Sequence, residues 1–336
     1  VLDAVFAELD VSGLTFSVFD GVQADPPEAI ILAAAEQAKK ADVVIGIGGG
    51  SSMDSAKLAA VLAMEQQVLA AMYGVDLVTS QRKPLVLIPT TAGTGSEVTP
   101  ISIVTTGEST KAGVVSPVLY PDVALLDPCL TVGLPAHITA ETGVDAMVHA
   151  IEAFTSKHKK NPLSDNLAVK ALQLLSTHLP LCYVNGKDLD HRGATLLGAM
   201  LAGQAFANSP VAAVHALAYP LGGIYHMAHG LTNALMLPYV MRFNLAHAEQ
   251  EYAQLGVVVN PHLAGLSQSE QALGFIEYMQ KFCYDLGITK RLRDYGIEPA
   301  ALTDLANAAM LQTRLLTNNP RTVTFEDALA LYQEAW

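Results

Sequence analysis

The chain has 336 residues, of which 51% are hydrophobic and 15% are charged, and its formal net charge is −13. This length leaves room for about two domains with a large core, and this composition excludes a disordered protein. The negative charge disfavours a nucleic-acid partner, because it repels phosphate. The cysteines Cys129, Cys182 and Cys283 are far apart and odd in number. They form no disulfide framework and indicate a reducing compartment, the cytoplasm.

The first part of the chain alternates between helices and strands. The opening segment VLDAVFAELD has the pattern of an amphipathic helix, whereas an α/β domain normally opens with a strand. We therefore expect a first strand to be missing from this numbering. Strands are predicted at LTFSVFD (14–20), DVVIGIGG (42–49), PLVLIPTT (84–91) and DVALLDP (122–128), and helices at 27–40 and 51–63. Val- and Ile-rich strands separated by helices predict βαβ units and a parallel sheet.

After residue 134 the hydrophobic period becomes that of helices. Helices are predicted over 143–154, 166–179, 193–206 and 269–287, with Gly and Pro at their ends. The sequence thus predicts an α/β domain over 1–134 and an all-helical domain over 135–336. The most apolar piece, ATLLGAMLAGQAFA (194–207), is too short to span a bilayer and predicts a buried core helix.

A glycine-rich loop, GIGGGSSMDSAK (46–57), joins a predicted strand directly to a predicted helix. The glycines let a ligand approach the backbone, and Ser51 and Ser52 stand where a helix N-cap belongs. A helix N-terminus carries about half a positive charge and binds phosphate. The usual dinucleotide fingerprint has a third glycine where this chain has Ser51. A tight strand-to-helix turn without a ligand therefore stays open as the alternative.

A second loop, IPTTAGTGSE (88–97), follows another predicted strand and offers the hydroxyls of Thr90, Thr91 and Thr94. Two such loops after parallel strands lie at the carboxyl edge of the sheet, where ligands bind in open α/β folds. Together they favour a dinucleotide site. Neither contains Gly-Lys-Thr or Gly-Lys-Ser, which argues against a P-loop kinase or ATPase.

The longest stretch without Asp, Glu, Lys or Arg, residues 193–241, contains His215, His226 and His229. These are either core histidines with local hydrogen bonds or ligands of a cation that needs dry surroundings. Asp145 and His149, four apart on a predicted helix, share one face. One carboxylate and three imidazoles suit Zn²⁺ or Fe²⁺. By itself, an Asp-x-x-x-His pair is more often a local contact.

Several motifs in a fixed order resemble the iron-containing (group III) alcohol dehydrogenase family, from about residue 18 to the C-terminus. They are GGGSSMDSAK, IPTTAGTGSEVT, TGVDAMVHAIEAF, HALAYPLGGIYHMAHGLTNALMLP and RLLTNNPR. The resemblance implies a Rossmann-like N-terminal α/β domain followed by an all-α C-terminal domain, a dehydroquinate synthase-like fold. It also implies a metal-dependent alcohol dehydrogenase that transfers a hydride between a small alcohol, aldehyde or ketone and NAD or NADP. The apolar or small residues of the helical part suggest an uncharged substrate. A homodimer is the implied assembly.

The same resemblance implies the site residues. The metal, commonly Fe²⁺ with Zn²⁺ as the alternative, would be held by the residues matching Asp145, His149, His215 and His229. The cofactor pyrophosphate would lie against Gly49, Gly50 and Ser51, with Asp54, Thr90, Thr91, Thr94 and Lys111 nearby. The acidic residue of an early strand that favours NAD over NADP is not in this sequence, so the choice between the two stays open.

Two further residues are candidates for catalysis. Tyr219 stands where many family members have a second histidine close to the nicotinamide, one turn after His215. A phenol has a pKa near 10, against about 6.5 for imidazole, so Tyr219 would need the metal's field to act as a base. A packing role for Tyr219 is the alternative. The position of His226 faces the substrate in the family without coordinating the metal.

Other functions compete with this interpretation. A hydroxyacid–oxoacid transhydrogenase of the same superfamily keeps its nicotinamide bound, and Tyr can occupy the 219 position there. A lyase of the dehydroquinate synthase type is disfavoured by the HALAYPLGG motif. A non-catalytic scaffold with a structural metal is also disfavoured, since structural zinc sites are usually rich in cysteine.

Overall fold

The computed structural model describes residues 2–107 and 110–336. The chain divides into two compact units. The first comprises the residues up to 91 together with 95–134, and it contains strands and helices. The second comprises 92–94 and 135–336, and it is helical. The predicted fold class, an α/β part followed by an all-helical part, is confirmed.

The α/β unit has three α-helices among its described residues: α1 (Leu2–Val11), α2 (Glu28–Ala38) and α3 (Gly50–Leu62). Its strands are β1 (Val44–Gly48), β2 (Gly74–Val75), β3 (Leu85–Pro89), β4 (Ile101–Thr106), β5 (Thr110–Val115) and β6 (Val123–Ala124). The helices and strands expected at 27–40, 42–49, 51–63, 84–91 and 122–128 are confirmed, although β6 is short.

One sheet has the strand order β1-β3-β6 and is parallel throughout. Gly48 pairs with Pro89 at the carboxyl ends of β1 and β3, so the two polar loops leave the sheet side by side. The strand predicted over 14–20 is wrong. Within the described part of the chain that segment pairs with no strand, and the Phe16 ring instead stacks on Phe6 of α1 with centroids 5.5 Å apart. A short alternating segment becomes a strand only where a partner is available.

A second sheet, with the order β2-β5-β4, was not expected from the sequence. β4 runs antiparallel to β5, whereas β2 is parallel to β5. Val104 and Val114 from this sheet are buried in one hydrophobic cluster with Ile31 of α2 and Leu58 of α3. The sheet thus covers the helices that flank the first glycine loop.

The helical unit is built around α4 (Ala136–Thr155), which packs against α5 (Pro162–Val184), α6 (Leu189–Asn208) and α8 (His229–Val259). The remaining helices are α7 (Ala213–Tyr225), α9 (Gln268–Asp285), α10 (Leu302–Met310), α11 (Thr313–Leu316) and α12 (Phe325–Ala335). Most of α4 is buried, so polar side chains on it must have partners within the core.

The proline and two glycines of PLGGIY (220–225) predict a chain break between His215 and His229, but the break does not lie within that segment. α7 continues through Pro220 to Tyr225, and the break follows at His226, which has a left-handed backbone (φ 54°, ψ 30°). Proline removes one helical hydrogen bond, but burial of Leu217 and Leu221 on either side of it stabilises the helix.

Among the described residues, length and composition single out one helix, α5, as long and apolar enough to cross a membrane. A core helix passes the same test. α5 packs against α4 and α6, and 33% of its apolar window is buried.

Candidate active site

Four side chains with metal-binding chemistry come together in the helical unit. Asp145 and His149 lie one turn apart on α4, His215 lies on α7, and His229 begins α8. One ligand atom from each lies within 4.8 Å of all the others. Asp145 Oδ1 is 3.8 Å from the Nε2 atom of His149 and 3.7 Å from those of His215 and His229. Three imidazole nitrogens thus surround one carboxylate oxygen at nearly equal distances.

The protonation states of Asp145 and His149 suit a metal. Burial lowers the pKa of His149 to about 3, so its ring is neutral at pH 7. Burial alone would raise the pKa of Asp145, but its contacts with the three histidines and with the Asn233 amide lower it. An ionised carboxylate and neutral imidazoles are the forms that bind metal.

One buried nitrogen tests whether an ion fits this cluster. Among the described residues, His215 Nε2 has no hydrogen-bond partner, although the side chain is only 2% exposed. A buried polar atom without a partner costs about 1–3 kcal/mol. Since His215 Nε2 faces Asp145, a cation between them would satisfy it. The donor set of one carboxylate oxygen and three imidazoles suits Fe²⁺ or Zn²⁺.

Two residues that contact the cluster were missed by the sequence analysis. The Glu152 carboxylate lies 2.6 Å from His215 Nδ1. The Asn233 amide donates to Asp145 Oδ1 at 2.6 Å and lies 3.2 Å from His229 Nε2. Spacing was the available signal, because Glu152 follows Asp145 by seven residues on α4 and Asn233 follows His229 by four on α8.

The two candidate catalytic residues differ in their surroundings. Tyr219, one turn after His215 on α7, has its ring centroid 5.9 Å from that of His229. His226 is exposed at the end of α7 and is not among the four clustered residues. The Phe206 ring lies against His149 with centroids 4.4 Å apart and provides an apolar wall to the cluster.

The first glycine loop leads directly into α3. Gly49 is the N-cap, with extended backbone and no side-chain cap, and α3 begins at Gly50. The predicted N-cap at Ser51 or Ser52 is therefore wrong by two residues or more. Gly48 has φ +151°, and a Cβ there would lie 2.6 Å from Ser52 Cβ. The first N–H groups of such a helix have no acceptor within it and are available to an anion.

The second loop adjoins the first. The Thr90 N–H donates to the Gly48 carbonyl at 2.9 Å, and a Cβ on Gly49 would lie 3.6 Å from Thr91 Oγ1. Ser51 Oγ accepts the Asp25 N–H at 3.2 Å, and the Asp25 carboxylate pairs with Lys111 at 2.7 Å. These contacts place Ser51, Thr90 and Thr91 close to the N-terminus of α3, with Lys111 connected to Ser51 through Asp25. Thr94 belongs to the helical unit with residues 92–94.

Asp54, another predicted cofactor residue, has its carboxylate bound within the protein. Its Oδ1 accepts Ser96 Oγ at 2.5 Å, and its Oδ2 accepts the Ile103 N–H at 2.8 Å. The fully buried Lys57 donates to Ser96 Oγ at 2.7 Å and to the Ile101 carbonyl at 2.7 Å. Asp54 and Lys57 thus attach residues 96–103 to α3.

Comparison with known proteins gives matches across the chain. The family model described as iron-containing alcohol dehydrogenase matches residues 1–128, and that of the Fe-containing alcohol dehydrogenase family, C-terminal, matches residues 139–336. A relative, the long-chain-alcohol dehydrogenase 1 of Geobacillus thermodenitrificans, is 41% identical over 341 residues, covering 100% of this chain and 86% of its own length.

Solved structures agree in fold. The crystal structure of a 1,3-propanediol oxidoreductase has a TM-score of 0.96 at 33% identity, covering 100% of this chain and 88% of its own. The sulfoacetaldehyde reductase of Bifidobacterium kashiwanohense, solved in complex with NAD⁺, has a TM-score of 0.86 at 28% identity, covering 99% of this chain and 88% of its own. The chain therefore belongs to the iron-containing alcohol dehydrogenase family and is an oxidoreductase that uses a metal and a nicotinamide dinucleotide to interconvert alcohols and aldehydes.

Proposed function

We propose that Asp145, His149, His215 and His229 hold the metal of this dehydrogenase, with Fe²⁺ as the first candidate and Zn²⁺ as the second. The nearly equal distances from Asp145 Oδ1 to three imidazole nitrogens are the observation that supports this most. Such an ion, when bound, acts as a Lewis acid on an alcohol or carbonyl oxygen. The role of the chain is to supply a buried, low-dielectric set of donors with one compensating negative charge.

We further propose that the cofactor pyrophosphate binds at the N-terminus of α3, against Gly49, Gly50 and Ser51. Thr90, Thr91, Thr94 and Lys111 would supply further hydrogen bonds and positive charge to NAD or NADP. Because the Asp54 carboxylate is bound to Ser96 and Ile103, its proposed role is to hold this loop in shape.

Tyr219 and His226 are the proposed catalytic side chains. The Tyr219 hydroxyl would relay the proton that leaves the alcohol, supported by the position of its ring beside His229. His226 would contact the substrate and not the metal, in keeping with its exposure. The apolar surroundings of the cluster, such as Phe206, favour a small, uncharged alcohol or aldehyde as substrate.

The proposal extends to partners and location. We expect a homodimer in the cytoplasm that binds neither nucleic acid nor membrane. The net charge of −13 argues against a nucleic-acid partner. The free thiols of Cys129, Cys182 and Cys283 support a cytoplasmic location.

The decisive experiment is removal of one ligand. His215→Ala should abolish both the bound metal, measured by elemental analysis, and alcohol-dependent reduction of the nicotinamide, while circular dichroism shows that the fold survives. His262→Ala, which removes an exposed histidine, is the matched control and should keep both. Retained activity in metal-free His215→Ala would refute the proposed site.

Substrate, cofactor and metal require a separate experiment. A panel of alcohols and aldehydes with NAD(H) and NADP(H), run on protein reloaded with Fe²⁺ or Zn²⁺, should give activity with simple uncharged alcohols. NADH or NADPH should be released in proportion to the alcohol consumed. A nicotinamide that stays bound and passes hydride to a second substrate would instead indicate the transhydrogenase.

A further inference from the structure

Glu152 is a buried acidic residue that the proposed reaction does not use. Its side chain is 5% exposed, and among the described residues its ion-pair partner is His215. Its Oε2 atom lies 2.6 Å from His215 Nδ1 and accepts the Ala212 N–H at 2.9 Å. Its Oε1 atom accepts the Val214 N–H at 2.7 Å. The carboxylate therefore has three donors, all at the start of α7.

The backbone contacts explain how α7 begins. Ala212 is the N-cap of α7 and has no side chain that can accept a hydrogen bond. The Glu152 carboxylate accepts from the first turn instead, although it belongs to α4. It therefore fixes α7 to α4 at the turn that carries His215, with the capping function that a Ser or Asp normally supplies.

The contact with His215 selects a tautomer. A carboxylate accepts but does not donate, so His215 must carry its proton on Nδ1. The Nε2 lone pair then faces Asp145, 3.7 Å away. A carboxylate that accepts the Nδ1 proton of a ligating histidine also makes the ring a more basic, and therefore stronger, metal ligand.

The charges of the two carboxylates also support a role for Glu152 in metal binding. Asp145 and Glu152 flank the two nitrogens of one buried imidazole, and buried charges require compensation. A divalent cation at the cluster would balance both negative charges. One carboxylate alone would balance only half of the charge of a divalent cation.

We propose that Glu152 is a positioning residue of the metal centre, which orients His215, fixes its tautomer and completes the charge balance for a divalent ion. This inference rests on the proposed metal site. It adds a prediction for a side chain that does not touch the ion.

The test is Co²⁺ binding to the metal-stripped full-length protein, followed by visible absorption and by competition with a chelator. Glu152→Gln nearly keeps the shape, but it removes the negative charge behind His215, and its single amide oxygen cannot accept all three donors. We expect the Co²⁺ dissociation constant to rise about 10–100-fold and the Co²⁺ spectrum to change. Glu277→Gln, which removes an exposed carboxylate from α9, should match wild type in both.

The outcomes separate the two proposals. If wild type and His215→Ala bind Co²⁺ equally well, the metal site itself is wrong. If His215→Ala loses Co²⁺ while Glu152→Gln keeps wild-type affinity and spectrum, Glu152 has only a structural role and the inference is overturned.

A measurement on the unmodified protein covers the case in which Glu152→Gln does not fold. In metal-free ¹⁵N-histidine-labelled protein, the His215 ring should carry its proton on Nδ1 and leave Nε2 unprotonated. A proton on Nε2 would overturn the inference.

Discussion

The Nδ1 atoms of His178 and His191 lie 3.1 Å apart across the contact between α5 and α6. At this distance one neutral ring donates to the other, so the pair shares one proton. Both side chains are half-buried, and Asp188 Oδ2 lies 4.0 Å from His191 Nε2. Protonation of both rings would place two cations side by side in a partly dry contact.

We therefore expect this pair to make the protein sensitive to acid. Burial, and then the neighbouring His191, lower the pKa of His178 below its ordinary 6.5. The unfolded chain takes up this proton at a higher pH than the folded one. The stabilising contribution is thus fully present above about pH 6.5 and is lost as the pH falls through the lowered pKa.

The melting temperature of the wild type should fall more steeply from about pH 7 to about pH 5 than that of His178→Gln, because the Gln side chain cannot become charged. The exposed His262→Gln is the control and should follow the wild type. Parallel pH profiles for wild type and His178→Gln would contradict the assignment.

Glu97 should have the opposite pH dependence. It is 2% exposed, and burial raises its pKa to about 7, against the weaker opposing effects of backbone and Lys57. A raised carboxyl pKa stabilises the fold below the unfolded value of about 4.5 and loses that contribution as the pH rises through 7. A shift of this size corresponds to at most about 3 kcal/mol.

Glu97→Gln, which stays neutral, should therefore gain stability over the wild type at about pH 8 but not at about pH 4.5. Urea unfolding at the two pH values measures the difference. Glu8→Gln, in which an exposed carboxylate of α1 is replaced, should show no such change between the two. An equal effect of Glu97→Gln at both pH values would show that the burial of this carboxyl is not what limits stability.

The sequence could predict the contacts that local periodicity controls. Asp145 and His149 share a helix face because they are four residues apart, and their proximity follows from helix geometry. His215 and His229 are 70 and 84 residues beyond Asp145, and only the packing of α7 and α8 on α4 brings them together. Residue spacing contains no information on that packing. The uncharged stretch that carries His215 and His229 suggested that they share a cation with Asp145 and His149, and the family resemblance then selected these four residues.

The errors have a common physical origin. Segment 14–20 has the alternation of a strand but no partner strand among the described residues, whereas β4 and β5 form strands because each pairs with the other. Pro220 predicts a break from its missing N–H, yet tertiary packing keeps α7 helical through it. In each case the contacts of the folded chain override a local preference.

Gly230 should prove necessary for metal binding, although it has no side chain. A Cβ at this position would lie 2.7 Å from the carbonyl carbon of Glu141 on α4, and backbone cannot move aside as a side chain can. Gly230→Ala must therefore push the start of α8 away from α4, and His229 with it. Such overpacking costs about 1–3 kcal/mol.

We expect Gly230→Ala to have a lower melting temperature and a reduced metal content per chain, both measured on protein purified with added Fe²⁺. Gly113→Ala is the control, because its Cβ would meet only the end of the Ile103 side chain, at 3.4 Å. Full metal occupancy in Gly230→Ala would mean that the position of His229 does not depend on this close approach.

Tyr219→Phe tests whether the phenol transfers a proton or only packs. The substitution removes one oxygen and leaves the ring beside His229, so metal content should stay unchanged. If the hydroxyl relays the proton, kcat should fall about 10²-fold or more, the usual contribution of a general acid or base. Tyr239→Phe, on α8, should retain wild-type kcat. A kcat for Tyr219→Phe within about twofold of the wild type would assign the tyrosine to packing and leave proton transfer to water or the cofactor ribose, since general acid–base catalysis contributes far more than that.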